Sequence, residues 1–384
     1  MKRVFLACGM LCCGGPLAAV TAQGVEADGL IFNRAGAFWR GGASPSAMQG
    51  RRDRRALAAA EDRTEYRIES EPVRRIRAIL TNDISLPNGR ATIWEAMAFP
   101  APTLSGQREV RTTFTAGGQP ARERGPSQRR VLVSRVTGRP KELHTRLTIE
   151  ATLYARRLRR RPPGPAPEVP DLPKATVRLY TRPTSTLDFD AEPFQDWLNE
   201  NGLWRGREES DLAFARRVFA DLRQRLEYVA HPSDLQASSL CGAGHSDCAG
   251  QSCLFVAVLR ANAVPARLLQ GRWAVSEGPG KTYGERYGKF HVKSEFFARG
   301  IGWVPVDLAA ASQDRTRGEL AYFGNDSGDF LDMNVDQDIV LESTLGDSRI
   351  VFGMQRIAYW WRGSGSAKGE RVGEHWRVEE QEAP

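Results

Sequence analysis

Lysine is scarce in this chain of 384 residues. Of 54 Lys and Arg only seven are lysine, and the 47 arginines are scattered rather than gathered into one stripe. A dispersed excess of positive charge, +8 in all, argues against a nucleic-acid partner, which calls for a basic face. No long apolar run follows the first two dozen residues, which excludes a multi-span membrane protein. At 41% hydrophobic residues with nearly balanced charge, the chain is neither a fibre nor wholly disordered. Its length is ample for a packed core and implies about two domains. Histidine is scarcer still, with five residues: His144, His231, His245, His291 and His375.

The cysteines number six, too few and too unevenly placed for a disulfide framework. Three of them, Cys8, Cys12 and Cys13, fall in a segment that reads as a secretory leader. Lys2 and Arg3 supply its charged start, Val4 to Val20 its apolar stretch, and Val20-Thr21-Ala22 the small residues before a cut after Ala22. Gly14, Gly15 and Pro16 interrupt the stretch, so no stable membrane span is expected there. The expected location is therefore the periplasm, cell envelope or exterior. Cleavage would leave Cys241, Cys248 and Cys253, an odd number in an exported protein, so at least one thiol is unpaired within the chain.

Residues 23–65 carry no sustained apolar period and read as a poorly ordered arm, including the run Arg51-Arg52-Asp53-Arg54-Arg55. From 66 to 160, short β-prone runs alternate with turn residues. Ile76–Leu80, Ala91–Trp94, Val110–Phe114, Val131–Val133 and Leu147–Tyr154 predict a β-sandwich. The Pro-rich stretch in 161–174 reads as a semi-rigid linker. Residues 175–345 then mix elements. Helices are predicted over Asp211–Val229 and Cys248–Ala263, the second ending ahead of Val264-Pro265. Strands are predicted at Ala266–Leu269, His291–Phe297 and Gly302–Val306, which makes the domain α+β. Residues 346–384 form a C-terminal extension. There Trp360, Trp361 and Trp376 suit an extra strand layer, and Gly363–Gly369 reads as a flexible loop.

Two chemistries compete for the cysteine cluster. Cys241-x3-His245-x2-Cys248-x4-Cys253 offers four soft ligands for a structural zinc, although the spacing matches no usual zinc pattern. Alternatively, one thiol opens a buried helix, where free N–H groups and the helix dipole favour a nucleophilic thiolate. Cys248 is in that position, with Asp247 as N-cap; Cys253 lies inside the helix, and Cys241 precedes it in a loop from which it could pair with Cys253. A thiol nucleophile needs a base and the base an orienting acceptor. A hairpin turning at Ala298-Arg299-Gly300-Ile301 would bring His291 near Asp307. His245 is a rival base, but neighbours across a helix start rarely converge. Trp273 and Trp303 read as core or cleft wall. Each of Cys248, His291 and Asp307 alone would pass for a structural residue; their joint pattern is what points to a site.

The stretch Asp247-Cys248 through Leu259-Arg260-Ala261-Asn262-Ala263-Val264-Pro265-Ala266-Arg267, followed by His291 and then Gly302-Trp303-Val304-Pro305-Val306-Asp307, resembles the core of transglutaminase-like proteins. The resemblance covers roughly residues 175–340, and the strand-rich first half resembles the sandwich that precedes the core in many bacterial members. It implies a papain-like core, with Cys248 as nucleophile, His291 as base, Asp307 as orienting acid and the Cys248 N–H as an oxyanion donor. It also implies a protein or peptide substrate and acyl transfer through a thioester, with no cofactor and no metal. Three positions depart from the family pattern: Lys293 replaces an aromatic residue, which changes the cleft wall, Ala263 replaces the helix-ending glycine, and Cys253 stands where an apolar helix residue is usual, which suits a core role. The opposing expectation is a non-enzymatic binding module on the same fold.

Overall fold

The computed structural model describes residues 65–124, 130–161, 169–230, 234–276, 290–318 and 320–381. The expected leader, the arm up to residue 64 and residues 162–168 of the linker lie outside the described residues. Two long strands, Tyr66–Ser85 and Glu142–Arg160, pair antiparallel along almost their whole length. Their one irregularity falls between Pro72 and Arg74, where proline has no N–H to give the ladder. On these strands the sheet runs in the order 371–381, 66–85, 142–160, 107–116, 119–120, and Asn325–Asp326 also pairs with Glu142–Arg160. A four-stranded sheet faces it, in the order 358–365, 89–98, 131–137, 122–124. Between them lies an apolar core that includes Ile76, Leu80, Trp94, Phe114, Leu147, Tyr359, Trp361 and Trp376.

One strand of each sheet comes from the far end of the chain. Ala358–Gly365 pairs with Gly89–Ala98, and Arg371–Gln381 pairs with Tyr66–Ser85 from Arg75↔Gln381 to Ser85↔Arg371. The residues expected as an extension therefore supply sandwich strands, and Gly363–Gly365, expected as part of a flexible loop, is ordered strand. The glycine content misleads because it answers a local need. A Cβ at Gly363 would meet the Arg90 carbonyl oxygen at 1.9 Å, at a bulge between Arg362 and Gly363, and Gly365 sits at φ +86.

The second half has the expected α+β organisation. Four antiparallel strands stand in the order Gly302–Val306, Phe290–Ala298, Ala266–Trp273, Phe330–Val335. Helix Asp211–Arg225 starts on a Ser210 cap and stops four residues before its expected end, because Glu227–Tyr228 joins His245–Ser246 in a short parallel pair. Helix Cys248–Ala261 is buried on all sides but its last residue: apolar residues fill most of it, and its polar members Gln251, Ser252 and Arg260 are each satisfied by hydrogen bonds. It ends in a Schellman turn: Val264 N–H bonds the Leu259 carbonyl and Ala263 N–H that of Arg260. Ala263 takes φ +56, a left-handed conformation that a Cβ disfavours.

The two halves meet over buried charge. Arg156, from the sandwich, bonds Glu295 of the central strand Phe290–Ala298 at 2.7 Å and Asp326 at 2.9 Å, and reaches Ser105 at 2.7 Å. Arg267 holds the other Glu295 oxygen at 2.6 and 2.8 Å, and Lys293 reaches Asp326 at 3.4 Å. Burial opposes the charge on Glu295, but Arg267 and Arg156 hold its carboxyl below the usual range. Gln107 completes the seam, accepting from the Asp332 N–H at 2.8 Å and donating to the Asp332 carbonyl at 2.9 Å. The Asp332 side chain fares differently: burial, reinforced by Glu295 and Asp326 against the pull of Arg156 and Lys293, pushes it up to about 7.

Two predictions follow from these positions. Replacing Ala263 by glycine relieves the left-handed strain at some cost in unfolded-chain entropy, and should stabilise the protein by about 0.5–1 kcal/mol in urea denaturation. Native Asp332 keeps its proton up to about pH 7, whereas its ordinary value is 3.8. Between those values the folded state binds more protons, so stability falls as pH rises through the window. Asp332→Asn should remove that decline and be more stable than the parent above pH 8 by about 1–3 kcal/mol, measured in urea at pH 5 and pH 8.

Candidate active site

Cys248 is the first residue of its helix and is buried. Asp247 caps the helix start, its Oδ1 accepting from the N–H groups of Ala249 at 3.0 Å and Gly250 at 3.1 Å. Gly250 permits this close start, since a Cβ there would meet Ser246 Oγ at 1.9 Å. His291 is the second residue of strand Phe290–Ala298, and its Nε2 lies 2.8 Å from Asp307 Oδ2 in buried surroundings. The expected hairpin forms, with Ala298 opposite Gly302 and Ser294 opposite Val306. Asp307 follows the returning strand directly and caps helix Leu308–Gln313, its Oδ1 accepting from the Ala310 N–H at 2.9 Å. One carboxylate thus starts a helix with one oxygen and holds an imidazole with the other.

The three carriers are tied pairwise. Ser252, one turn beyond Cys248, donates to the Val292 carbonyl at 3.1 Å, next to His291. Phe255 packs against Phe296 farther along, ring centroids 6.3 Å apart, so helix and strand run in the same sense. One turn back from Ser252 is about 6 Å at the α-helical rise, which brings Cys248 level with the start of the strand. Gln251 ties the same helix to the one capped by Asp307, its Oε1 accepting from Ser312 Oγ at 2.9 Å. The His291–Asp307 bond closes the triangle.

The charges around this pair are fixed by burial and neighbours. Burial works against the Asp307 carboxylate, yet His291, Lys293 and the Ala310 N–H hold it below its ordinary value. Lys293, expected on the cleft wall, is instead buried. Its ammonium lies over the rings of Trp273 at 4.9 Å and Phe330 at 4.7 Å. Burial opposes that charge too, but Asp326, Asp307, Asp329 and Asp332 hold Lys293 above its ordinary value. Trp273 stacks on the His291 ring, centroids 5.1 Å apart and planes at 21°, and Phe330 meets the imidazole edge-on at 6.0 Å.

The other candidate ligands do not converge. Cys241 and Cys253 are free thiols, half-buried and buried respectively. Burial pushes both upward, and for Cys253 the carboxylates of Asp338, Asp247 and Asp336 add to it. His245 is exposed on its short strand. Among the described residues no three of His, Cys, Asp or Glu gather into a metal-holding group, so the spacing of Cys241, His245, Cys248 and Cys253 does not become a cluster. Gln355 could not be foreseen: its Nε2 donates to the carbonyls of His291 and Gly271, both at 2.8 Å. No motif marks it, because the contact joins segments more than 60 residues apart.

An α+β core with a capped cysteine helix lying along an antiparallel sheet, next to a strand-rich half, is the class to which these features lead. Residues 203–308 match the transglutaminase-like superfamily, and the core is a transglutaminase-like domain. The matched stretch contains Cys248, His291 and Asp307. Among solved structures, the chain is similar to a candidate cysteine protease from Cytophaga hutchinsonii. The identity is 11%, over 83% of this chain and 94% of that one, with a TM-score of 0.51. The periplasmic domain of TgpA from Pseudomonas aeruginosa is 14% identical over 69% of this chain and 94% of its own, at a TM-score of 0.34. No curated protein matches the chain.

The double duty of Asp307 can be separated by substitution. Asp307→Asn keeps an oxygen for the Ala310 N–H but turns an uncharged NH2 donor toward His291, whereas Asp307→Ala loses both contacts. In thermal and urea unfolding the alanine variant should be the less stable by about 1–2 kcal/mol. A carboxyl held below its ordinary value adds stability above that value and loses it as pH falls; the asparagine variant should lack that acid-side loss.

Proposed function

We propose that the chain is an exported cysteine-dependent acyl-transfer enzyme acting on peptide or isopeptide amides, with Cys248, His291 and Asp307 as its triad. The observation that carries this reading is the buried His291–Asp307 pair, held by two further ties to the helix that Cys248 opens. With Nε2 facing Asp307, Nδ1 of His291 is assigned the role of taking the thiol proton. The thiolate then attacks the amide carbonyl, and the developing oxyanion is met by the Cys248 N–H at the positive end of the helix. His291 returns its proton to the leaving amine, the C–N bond breaks and a thioester remains. Water, deprotonated by the same imidazole, adds to the thioester and releases a carboxylic acid and the thiol. A lysine amine in place of water would give a crosslink. Hydrolysis is weakly favoured, on the resemblance of the strand-rich first half to the sandwich of bacterial members.

Asp307, held ionised, keeps the imidazole oriented and stabilises its cationic form during transfer. Export rests on the leader-like first 22 residues; among the described residues no helix is long and apolar enough to cross a membrane.

The test is to incubate the protein with a peptide library, with and without an added amine, and read the products by mass spectrometry. Cleaved peptides that vanish with Cys248→Ala are expected, with activity falling at least a hundredfold in His291→Ala. In parallel, Cys248 should react with iodoacetamide near neutral pH far faster than Cys253, and His291→Ala should slow it. Equal labelling of the two thiols, together with no product in either library, would favour a binding module instead.

A further inference from the structure

The last strand of the chain, Arg371–Gln381, presents alternate residues to the end of strand Ala266–Trp273, the strand paired with that of His291. Glu374 lies 3.1 Å from the buried Arg272 guanidinium. The Trp376 indole N–H donates to the Trp273 carbonyl at 3.0 Å. Ser276 Oγ donates to the Val378 carbonyl at 2.7 Å and accepts from the Val378 N–H at 2.8 Å. Three consecutive inward positions of one strand thus each grip a residue of the segment 272–276. Trp273, in the middle of that segment, is the ring stacked on His291, and Gly271 just before it pairs with His291 in the sheet.

The same segment is held from a second direction. Arg272 Nε donates to the Gln355 carbonyl at 2.9 Å, and the Gln355 side chain bridges the Gly271 and His291 carbonyls. None of these contacts is needed to close the core around helix Cys248–Ala261, whose apolar cluster omits Trp273 and Trp376. Their shared effect is to fix the indole that covers one face of the imidazole.

We propose that Trp376 is a positioning residue for the site: through the Trp273 carbonyl it holds the Trp273 ring against His291 and so sets the orientation of the base toward Cys248. Its partners in that role are Glu374 and Gln355. The inference rests on the reading of His291 as the base of the proposed reaction. It makes the chain's final strand a working part of a site whose three triad residues all lie within 248–307.

The test reads the rate of Cys248 alkylation by iodoacetamide in the full chain from pH 5.5 to 9, resolved by peptide mass spectrometry, in the parent, Trp376→Phe and His291→Ala. A cysteine paired with a well-placed imidazole alkylates at acidic pH, where an isolated thiol does not. Trp376→Phe keeps the ring and loses the N–H. It should slow alkylation at pH 6 by about threefold to tenfold, the worth of one buried hydrogen bond, and leave the rate at pH 9 nearly unchanged. A Trp376→Phe profile superimposable on the parent's, even with a lowered melting temperature, overturns the proposal and leaves only a structural role. A His291→Ala profile equal to the parent's overturns instead the assignment of the base. Glu374→Gln, which keeps both indoles and removes the charge facing Arg272, repeats the test should Trp376→Phe not fold; an unchanged profile there is equally decisive against the clamp.

Discussion

The contact on which the rest of this structure depends is the buried ion pair between Arg156 and Glu295. Arg156 belongs to the long sandwich strand Glu142–Arg160, and Glu295 to the strand that carries His291 four residues earlier. On a strand, residues 291, 293 and 295 share a face. Fixing Glu295 from the sandwich therefore fixes the face on which His291 and Lys293 are presented. Two buried charges seldom repay their desolvation by mutual attraction alone, but here each carboxylate oxygen and most of the guanidinium find partners in Arg267, Asp326 and Ser105. Removing Glu295 would take from buried Arg267 its carboxylate partner and from Arg156 one of its two. The network is thus a geometric constraint as much as a source of stability.

The electrostatics of the candidate site follow from this junction. Lys293 stays cationic because carboxylates surround it, and its charge in turn helps keep Asp307 ionised. An aromatic residue at that position would supply packing but no charge. Lys293 instead places a buried cation over the Trp273 and Phe330 rings, the two rings that also pack against His291.

Much of this was legible in the residues. The helices from Asp211 and from Cys248 start where the sequence places them, and the Gly300-centred hairpin brings His291 to Asp307. Those features are local, written in spacing, capping and turn chemistry within a few dozen residues. What could not be read is long-range. Nothing in Gln355, Trp376 or Arg156 announces a partner, because each acts across 50 residues or more of intervening chain. Lys293 misleads because burial of a lysine depends on acids brought by other strands. The glycines of 363–365 mislead because close backbone approach and flexibility leave the same composition.

The pairing of Arg371–Gln381 with Tyr66–Ser85 also sets an order of events. The first long strand has two neighbours, one arriving with Glu142–Arg160 and the other only once residues 371–381 have been made. Closing a loop of roughly 300 residues is slow compared with forming the local hairpin of His291 and Asp307. The core can therefore assemble its capped helices early, while one flank of the sandwich still exposes an unpaired edge. Until residue 381 is in place, the segment behind His291 lacks its outer wall. A ribosome pause or a cut before residue 371 would leave the core with an unfinished back.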